Sequence, residues 1–222
     1  MKTHRQYPLK TCLAATLLLV STAAMPQAAP DKRQAPAAAK KSAPARATHL
    51  LHLTALRLVD SGWTDQRVLN AVRTARRILA QCSVKLERME LVSLAVPQNL
   101  LDFSRPMALE LVRDYRVTRP AVYFVRDTLS SPALGAEAIG HSSSGTTPVL
   151  ASTVWITAAI RDPGVALARE LAHVLMDSGD RSEEPGNLMR EQTSARSTAL
   201  TPAQCSRMRE TAGRNGLLKK AK

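Results

Sequence analysis

The sequence predicts an α/β (α+β) domain in which helices pack against a twisted mixed sheet. Two segments rich in β-branched and aromatic residues, 121–125 (AVYFV) and 153–157 (TVWIT), have the composition of buried strands of one sheet. Other stretches repeat apolar residues at helical spacing. The predicted strands and helices all lie in one continuous segment of about 165 residues. This length is sufficient for a single domain with its own hydrophobic core.

The first half of the domain is predicted to open with a strand and a helix. Residues 51–56 alternate in the period-two manner of a strand. Thr64 can cap a helix whose apolar residues, between 68 and 82, recur on one face. Residues 84–96 are mostly extended in character, and Ser104-Arg105-Pro106 is typical of the start of a shorter helix.

The second half is predicted to hold a long loop and two helices. Residues 130–148 are rich in Gly, Ser and Thr and resemble a loop that lines a cleft. The apolar residues of 163–177 are spread around the helix, which indicates a central, largely buried helix. Residues 201–204 combine a capping box with a proline at the first helical position. The final helix should carry Cys205 and end near Gly213.

The N-terminal residues predict an exported protein. Residues 1–24 contain a positive segment, a short apolar run at 12–20 and small residues at 22–24, the three parts of a cleavable signal peptide. Residues 25–47 are mainly Ala, Pro, Lys and Gln, the composition of a disordered linker. We therefore expect a periplasmic or secreted protein without a transmembrane segment.

The formal charge of +13 lies mainly outside the predicted domain. Residues 1–47 carry eight Lys or Arg and one acid, and the basic tail at 214–222 carries four and none. Residues 48–213 keep 19 basic and 17 acidic side chains, a net charge of +2. This balance, with few aromatics, argues against nucleic-acid binding, although the basic ends suit anionic envelope surfaces.

Two cysteines remain after the predicted signal peptide is removed with Cys12. In an exported protein, Cys82 and Cys205 are most simply explained as one disulfide that joins the first and last helices. Neither lies in a C-x-x-C arrangement, which makes a metal role for the pair less favoured. Closing so long a loop stabilises by roughly 4 kcal/mol on the chain-entropy model.

The run Arg169-Glu170-Leu171-Ala172-His173 carries part of a zinc-binding helix motif. Such a helix needs two histidines four residues apart, with a glutamate beside the first that handles the proton of a metal-bound water. Glu170 and His173 occupy two of these positions, and Arg169 stands at the first histidine. A purely structural interpretation is a charged pair of Arg169 and Glu170 with a hydrogen-bonded core histidine.

The surrounding sequence resembles metzincin-type zinc metallopeptidases, in particular secreted bacterial members. A turn at 178–179 is followed by Asn187-Leu188-Met189, which resembles their methionine turn. Residues 200–209 (LTPAQCSRMR) resemble their closing helix. The likeness covers roughly 120–212 and is most specific over 166–207. It includes three upstream segments that are similar to their sheet and cleft edge: AVYFVRD, AEAIG and STVWIT.

This resemblance implies a zincin-like fold with an active-site helix, a C-terminal helix and a cleft that accepts a peptide or protein. It implies zinc as the cofactor, Glu170 as general base and His173 as a zinc ligand. It also implies that Met189 lies beneath the metal.

The sequence departs from the family at two ligand positions. Arg169 replaces the first histidine, and the third histidine falls at Gly179 in the common pattern or at Arg181 in some bacterial relatives. A guanidinium has no lone pair to give and repels a cation. Asp180 is the best substitute for the third ligand. Zinc binding is therefore expected to be weak or absent.

Two functions follow from this degenerate site. One is a catalytically impaired pseudoenzyme that keeps the cleft as a binding module. The other is an active secreted zinc-dependent endopeptidase that uses His173, substitute ligands such as Asp180, and Glu170 as base. The two arginines either form an anion-binding pocket or are neutralised internally by Glu170, Asp177 and Asp180.

Overall fold

The computed structural model describes residues 48–129, 135–191 and 194–221. Its strands are β1 (His49–Leu58), β2 (Val84–Leu94), β3 (Ala121–Val125), β4 (Ala136–Ile139), β5 (Thr153–Thr157) and β6 (Leu218–Lys220). Its helices are α1 (Asp65–Leu79), α2 (Arg105–Asp114), α3 (Pro163–Met176) and α4 (Pro202–Arg214). The α/β fold class predicted from sequence is confirmed. The predicted signal peptide and linker lie outside the described residues.

The strands form one mixed sheet in the order β2-β1-β3-β5-β4. The first four strands of this order are parallel, and β4 runs antiparallel to β5 at one edge. The short strand β6 pairs antiparallel with the start of β1. The central strands β3 and β5 are buried at every residue because the sheet has a core on each of its faces.

The two cores divide the helices between the faces of the sheet. Buried residues of α1, α3 and α4 pack together against one face, around Leu53, Phe124 and Ile156. Buried residues of α2 pack against the other face, where Tyr123 and Trp155 stack with ring centroids 4.1 Å apart. None of the described helices is long and apolar enough to cross a bilayer.

Local side-chain chemistry fixes the starts of three helices. Thr64 and Ser104 accept hydrogen bonds from the backbone amides three residues later, at 3.2 and 3.4 Å. Thr201 and Gln204 form the complete capping box that the sequence predicts for α4. These starts are readable from sequence because each involves partners within one helical turn.

A disulfide joins Cys82 and Cys205, which confirms the predicted pairing. Cys82 lies in the short 3-10 turn that follows α1, and Cys205 lies in the first turn of α4. Their Cα atoms are 4.7 Å apart. The bond therefore ties the end of α1 to the helix that closes the domain.

Strands β4 and β6 differ from what local pattern predicts. β4 lies inside the stretch 130–148, which the pattern predicts as loop, and β6 lies inside the predicted basic tail, 214–222. Each strand is only three or four residues long and is stabilised by hydrogen bonds to a strand distant in sequence. Short-range pattern carries no information about such partners. The resemblance of AEAIG to a cleft-edge segment does indicate the location of β4.

Candidate functional site

A cleft of about 520 Å³ lies between the edge strand β4 and the helix α3, and we call it the α3 cleft. One wall is β4 with the loop that follows it, and the other is the last two turns of α3 with the segment after it. The principal polar side chains that line it are Glu137, Ser142, Ser143, Arg169, Glu170, His173, Asp177, Ser178, Arg181 and Glu191.

Helix α3 is buried on nearly all sides, so some of its polar side chains lie in the interior. Gly164 allows the close approach of α3 to α1, since a Cβ atom there would lie 2.5 Å from the Cβ of Thr74. Glu170 is only 5% exposed although it is ionisable. Burial of a carboxylate is unfavourable unless a cation or hydrogen-bond donors lie close to it.

The Glu170 carboxyl is poised to titrate near neutral pH. Burial raises its pKa to about 7; the positive charge of Arg169 opposes this rise and the negative charge of Glu137 adds to it. Nη1 of Arg169 lies 3.4 Å from Oε1 of Glu170. Arg169 and Glu170 therefore form an ion pair in the floor of the cleft.

His173 is held as a neutral imidazole. Its Nδ1 lies 2.6 Å from the carbonyl oxygen of Ser178, which can only accept, so Nδ1 carries the proton and Nε2 keeps its lone pair. Burial lowers the pKa of His173, and the positive charges of Arg169 and Arg181 lower it further, although the bond to Ser178 acts in the opposite direction. A histidine that donates Nδ1–H to a carbonyl has the orientation common among metal ligands.

Asp177 joins the two walls of the cleft. It ends α3 in the left-handed region, with φ of 48°. Its carboxylate accepts from the backbone N–H and the hydroxyl of Ser142, at 2.8 and 2.5 Å. Gly140 is required beside it, because a Cβ atom there would lie 2.7 Å from Oδ1 of Asp177. No local sequence pattern marks Ser142, Gly140 or Glu137 as site residues, since their roles depend on how β4 packs against α3.

The other two candidate positions form ion pairs on the molecular surface. Arg181 lines the cleft and pairs through Nη1 with the carboxylate of Glu191. Asp180 is largely exposed, and its Oδ2 accepts from Nη1 of Arg207 at 2.6 Å. Asp180 is not among the residues that line the cleft. To act as a metal ligand, Asp180 has to leave Arg207.

Met189 is buried in the core that α3 shares with α1 and α4. Its backbone N–H donates to Oδ1 of Asn187 at 2.9 Å, which closes the turn. Nδ2 of Asn187 donates in turn to Oε1 of Gln204, a capping residue of α4, at 3.1 Å. The turn at 187–189 is thus anchored to the start of the last helix.

The residues present do not fit a catalytic zinc site of three protein ligands. Within 48–129, 135–191 and 194–221, no group of three His, Cys, Asp or Glu side chains is arranged to hold a metal ion. In the cleft, His173 presents a free nitrogen, and the cationic side chains that surround it are those of Arg169 and Arg181. A guanidinium contributes repulsion rather than a bond to a dication.

Comparison with solved structures identifies the fold. The described residues form a zincin-like fold: a mixed α/β sheet with helices on both faces and one disulfide between described cysteines. It is similar to metalloproteinase-II from Bacteroides fragilis, with a TM-score of 0.54 and 14% identity, over 74% of this chain and 53% of that one. The chain thus spans about half of that structure, and at this identity the likeness establishes the fold alone.

The chain is also similar to the solved structure of archaemetzincin from Methanopyrus kandleri. It has a TM-score of 0.47 and 10% identity, over 73% of this chain and 96% of that one. No protein-family model matches the sequence. No curated protein sequence matches it either.

Proposed function

We propose that this chain is an exported metzincin-like protein that binds peptides in the α3 cleft and does not hydrolyse them by zinc chemistry. The ion pair between Arg169 and Glu170 carries this proposal. It puts a fixed cation at a ligand position and engages the carboxylate that would otherwise act as base. Both features oppose a zinc-activated water at this place.

The shape of the cleft suits an extended peptide. Among the described strands, β4 pairs only with β5, so its other edge offers backbone donors and acceptors toward the cleft. Adding a peptide strand to such an edge is a common mode of recognition, with pockets beneath the strand that select side chains. The α3 cleft provides such a pocket alongside β4.

The charge balance of the cleft favours basic peptides over anions. Four carboxyl groups line it, against the two guanidiniums of Arg169 and Arg181; the carboxyls belong to Glu137, Glu170, Asp177 and Glu191. Each arginine already faces a carboxylate, so internal neutralisation is better supported than an anion-binding pocket. The partner of Arg181 is Glu191, however, rather than the Asp180 considered from sequence.

Metal analysis of the purified protein and two paired variants tests the proposal. We expect the parent to contain little zinc, because two ligand positions are cationic. Arg169→His with Arg181→His should raise zinc uptake clearly above Arg169→Gln with Arg181→Gln, which removes the same charges without adding ligands. If the histidine variant folds normally yet takes up no more zinc than the glutamine variant, the degenerate-site interpretation fails.

Peptide titration tests the binding role. Fluorescence anisotropy should show tighter binding of Lys- or Arg-containing extended peptides than of acidic ones, and Glu137→Gln should weaken the former by removing a cleft carboxyl. Equal binding of both peptide classes contradicts the charge argument. Stoichiometric zinc together with chelator-sensitive cleavage that is lost in Glu170→Gln contradicts the whole proposal.

The alternative is an active zinc-dependent endopeptidase, and one observation favours it. His173 keeps Nε2 available, and the pKa of Glu170 near 7 suits a general base. This function requires Asp180 to exchange Arg207 for a metal. The zinc and cleavage measurements on the parent decide between the two functions.

A further inference from the structure

A second concave site, of about 380 Å³, lies between the C-terminal half of α1 and the start of β2. It is lined by four cationic side chains and no carboxylate among the described residues. Around them lie Ala80, Ser83 and Val84. We call it the basic pocket and define it by its cations: Arg73, Arg76, Arg77 and Lys85.

The cations of this pocket are exposed and lack acidic partners. Arg73, Arg76 and Arg77 lie on one face of α1, at spacings of three and four residues, while the opposite face is buried in the core. Nη1 of Arg73 donates to the Asn70 side chain at 2.8 Å, and Nη2 of Arg77 donates to Thr74 at 3.2 Å. Within the described residues, none of the four forms an ion pair with a carboxylate.

Helix stabilisation accounts for only part of this cluster. Arg76 and Arg77 lie in the last turn of α1, where cations interact favourably with the helix dipole. Arg73 lies a turn earlier, and Lys85 lies on β2 rather than on the helix. Four cations around one concave site repel each other, and binding an anion there would reduce this repulsion.

The positive region continues onto the chain ends. Nη1 of Arg209 donates to the carbonyl of Cys82 at 3.0 Å, beside the pocket residue Ser83. Lys220 pairs in register with His49. Burial lowers the pKa of His49, and both Arg209 and Lys220 lower it further, as expected for a region of positive potential.

The N-terminal chain enters the domain at the same place. The backbone amides of Thr48 and His49 donate to the carbonyl of Ser83 at 2.9 and 3.2 Å. In sequence, residues 25–47 that lead to this point carry five Lys or Arg and one Asp. A small anion can meet only a few of the cations that the structure describes on α1 and β2, whereas an extended anionic surface can meet them together.

We propose that this cationic end of the molecule docks onto the anionic phospholipid surface of a membrane, with the basic pocket receiving a lipid phosphate. The interaction is peripheral and electrostatic, so it weakens as salt shortens the range of the attraction. Nucleic acid is the less suitable polyanion, since only 3% of the residues are aromatic and few can stack on bases. The proposal is independent of the function assigned to the α3 cleft.

Vesicle co-sedimentation of the full chain tests this proposal. Partition onto phosphatidylglycerol-containing vesicles is compared with partition onto neutral phosphatidylcholine vesicles, so that binding by the apolar N-terminal run cancels. Arg73→Gln with Arg76→Gln and Arg77→Gln should lower the anionic-specific partition by roughly 100-fold at low salt, at about fivefold per cation. The matched control removes three exposed cations elsewhere: Arg113→Gln, Arg116→Gln and Arg161→Gln.

Two further variants keep the test informative if the triple glutamine variant unfolds. Replacing the same three arginines by lysine should retain binding, and Lys85→Gln, which lies off the helix, should weaken it about fivefold. Equal losses in the pocket and control triples, or equal binding to both vesicle types, overturn the proposal. If the pocket triple loses binding of soluble polyphosphate but keeps its partition onto anionic vesicles, the pocket is reassigned to a soluble polyanion and the proposal is also overturned.

Discussion

The pKa of Glu170 in α3 is determined by the surroundings of its carboxyl group. On an exposed helix its carboxyl would titrate as an ordinary glutamate, but here burial raises its pKa to about 7 despite the neighbouring Arg169. In the unfolded chain the carboxyl loses its proton near the ordinary glutamate pKa of 4.5. Between these two values, the native state binds a proton that the unfolded state has released.

This difference predicts a pH-dependent cost of folding. Because the folded-state pKa is raised, the stability linked to Glu170 is fully present below pH 4.5 and is lost as pH rises to about 7. Glu170→Gln mimics the protonated form and removes this dependence. The variant should therefore gain on the order of 3 kcal/mol of unfolding free energy relative to the parent between pH 4.5 and 7.5.

Urea denaturation at several pH values measures this change. Glu183→Gln, at an exposed glutamate after α3, serves as the control. A constant difference between Glu170→Gln and the parent across this range contradicts the prediction. A constant difference would mean that the pKa of Glu170 is the same in the native and unfolded states.

At the scale of elements, the approach of α3 to α1 determines the floor of the cleft. Gly164 lies in the first turn of α3, and the atoms that would meet its missing side chain are Cβ and Cγ2 of Thr74, at 2.5 and 2.8 Å. Thr74 lies in the middle of α1, where its backbone cannot move aside cheaply. The glycine is explained by contact rather than by an unusual backbone angle.

Gly164→Ala should destabilise the protein although alanine is the better helix former. Overpacking between the two helices is expected to cost about 1–3 kcal/mol, which exceeds the gain in helix propensity of up to about 1 kcal/mol. Gly213→Ala in α4 is the matched control, because nothing lies within 4 Å of its added Cβ, and it should be neutral or stabilising. Equal stability of the two variants in urea would refute the close contact.

At the scale of the whole molecule, the disulfide connects the two ends of the domain. Cys82 and Cys205 are 123 residues apart in sequence, and the segment between them contains β2 to β5, α2 and α3. The cleft is therefore built entirely within the loop that the disulfide closes. Restricting so long a loop lowers the entropy of the unfolded chain more than it affects the native state.

Replacing both cysteines by serine should lower the unfolding free energy by about 2–5 kcal/mol. Urea denaturation of the parent with and without a reducing agent, beside the double serine variant, measures the effect. The reductant should destabilise the parent and leave the variant unchanged. If the variant is within about 0.5 kcal/mol of the parent, the disulfide contributes little to stability.

The sequence by itself determined the features that arise within a few residues or from simple alternation. These include the caps at Thr64, Ser104 and Thr201, the buried face of α1 and the strands β3 and β5. The disulfide was also predictable, since few cysteines leave few pairings. Each of these follows from hydrogen bonds within one turn, from side-chain periodicity or from composition.

Only the tertiary structure decided which residues meet in and beside the cleft. It paired Asp177 with Ser142, Arg181 with Glu191 and Asp180 with Arg207. The strands β4 and β6 likewise exist because β5 and β1 supply hydrogen bonds to them. The raised pKa of Glu170 is likewise a result of tertiary packing. Such properties depend on neighbours distant in sequence, and no local pattern records them because folding alone brings those neighbours together.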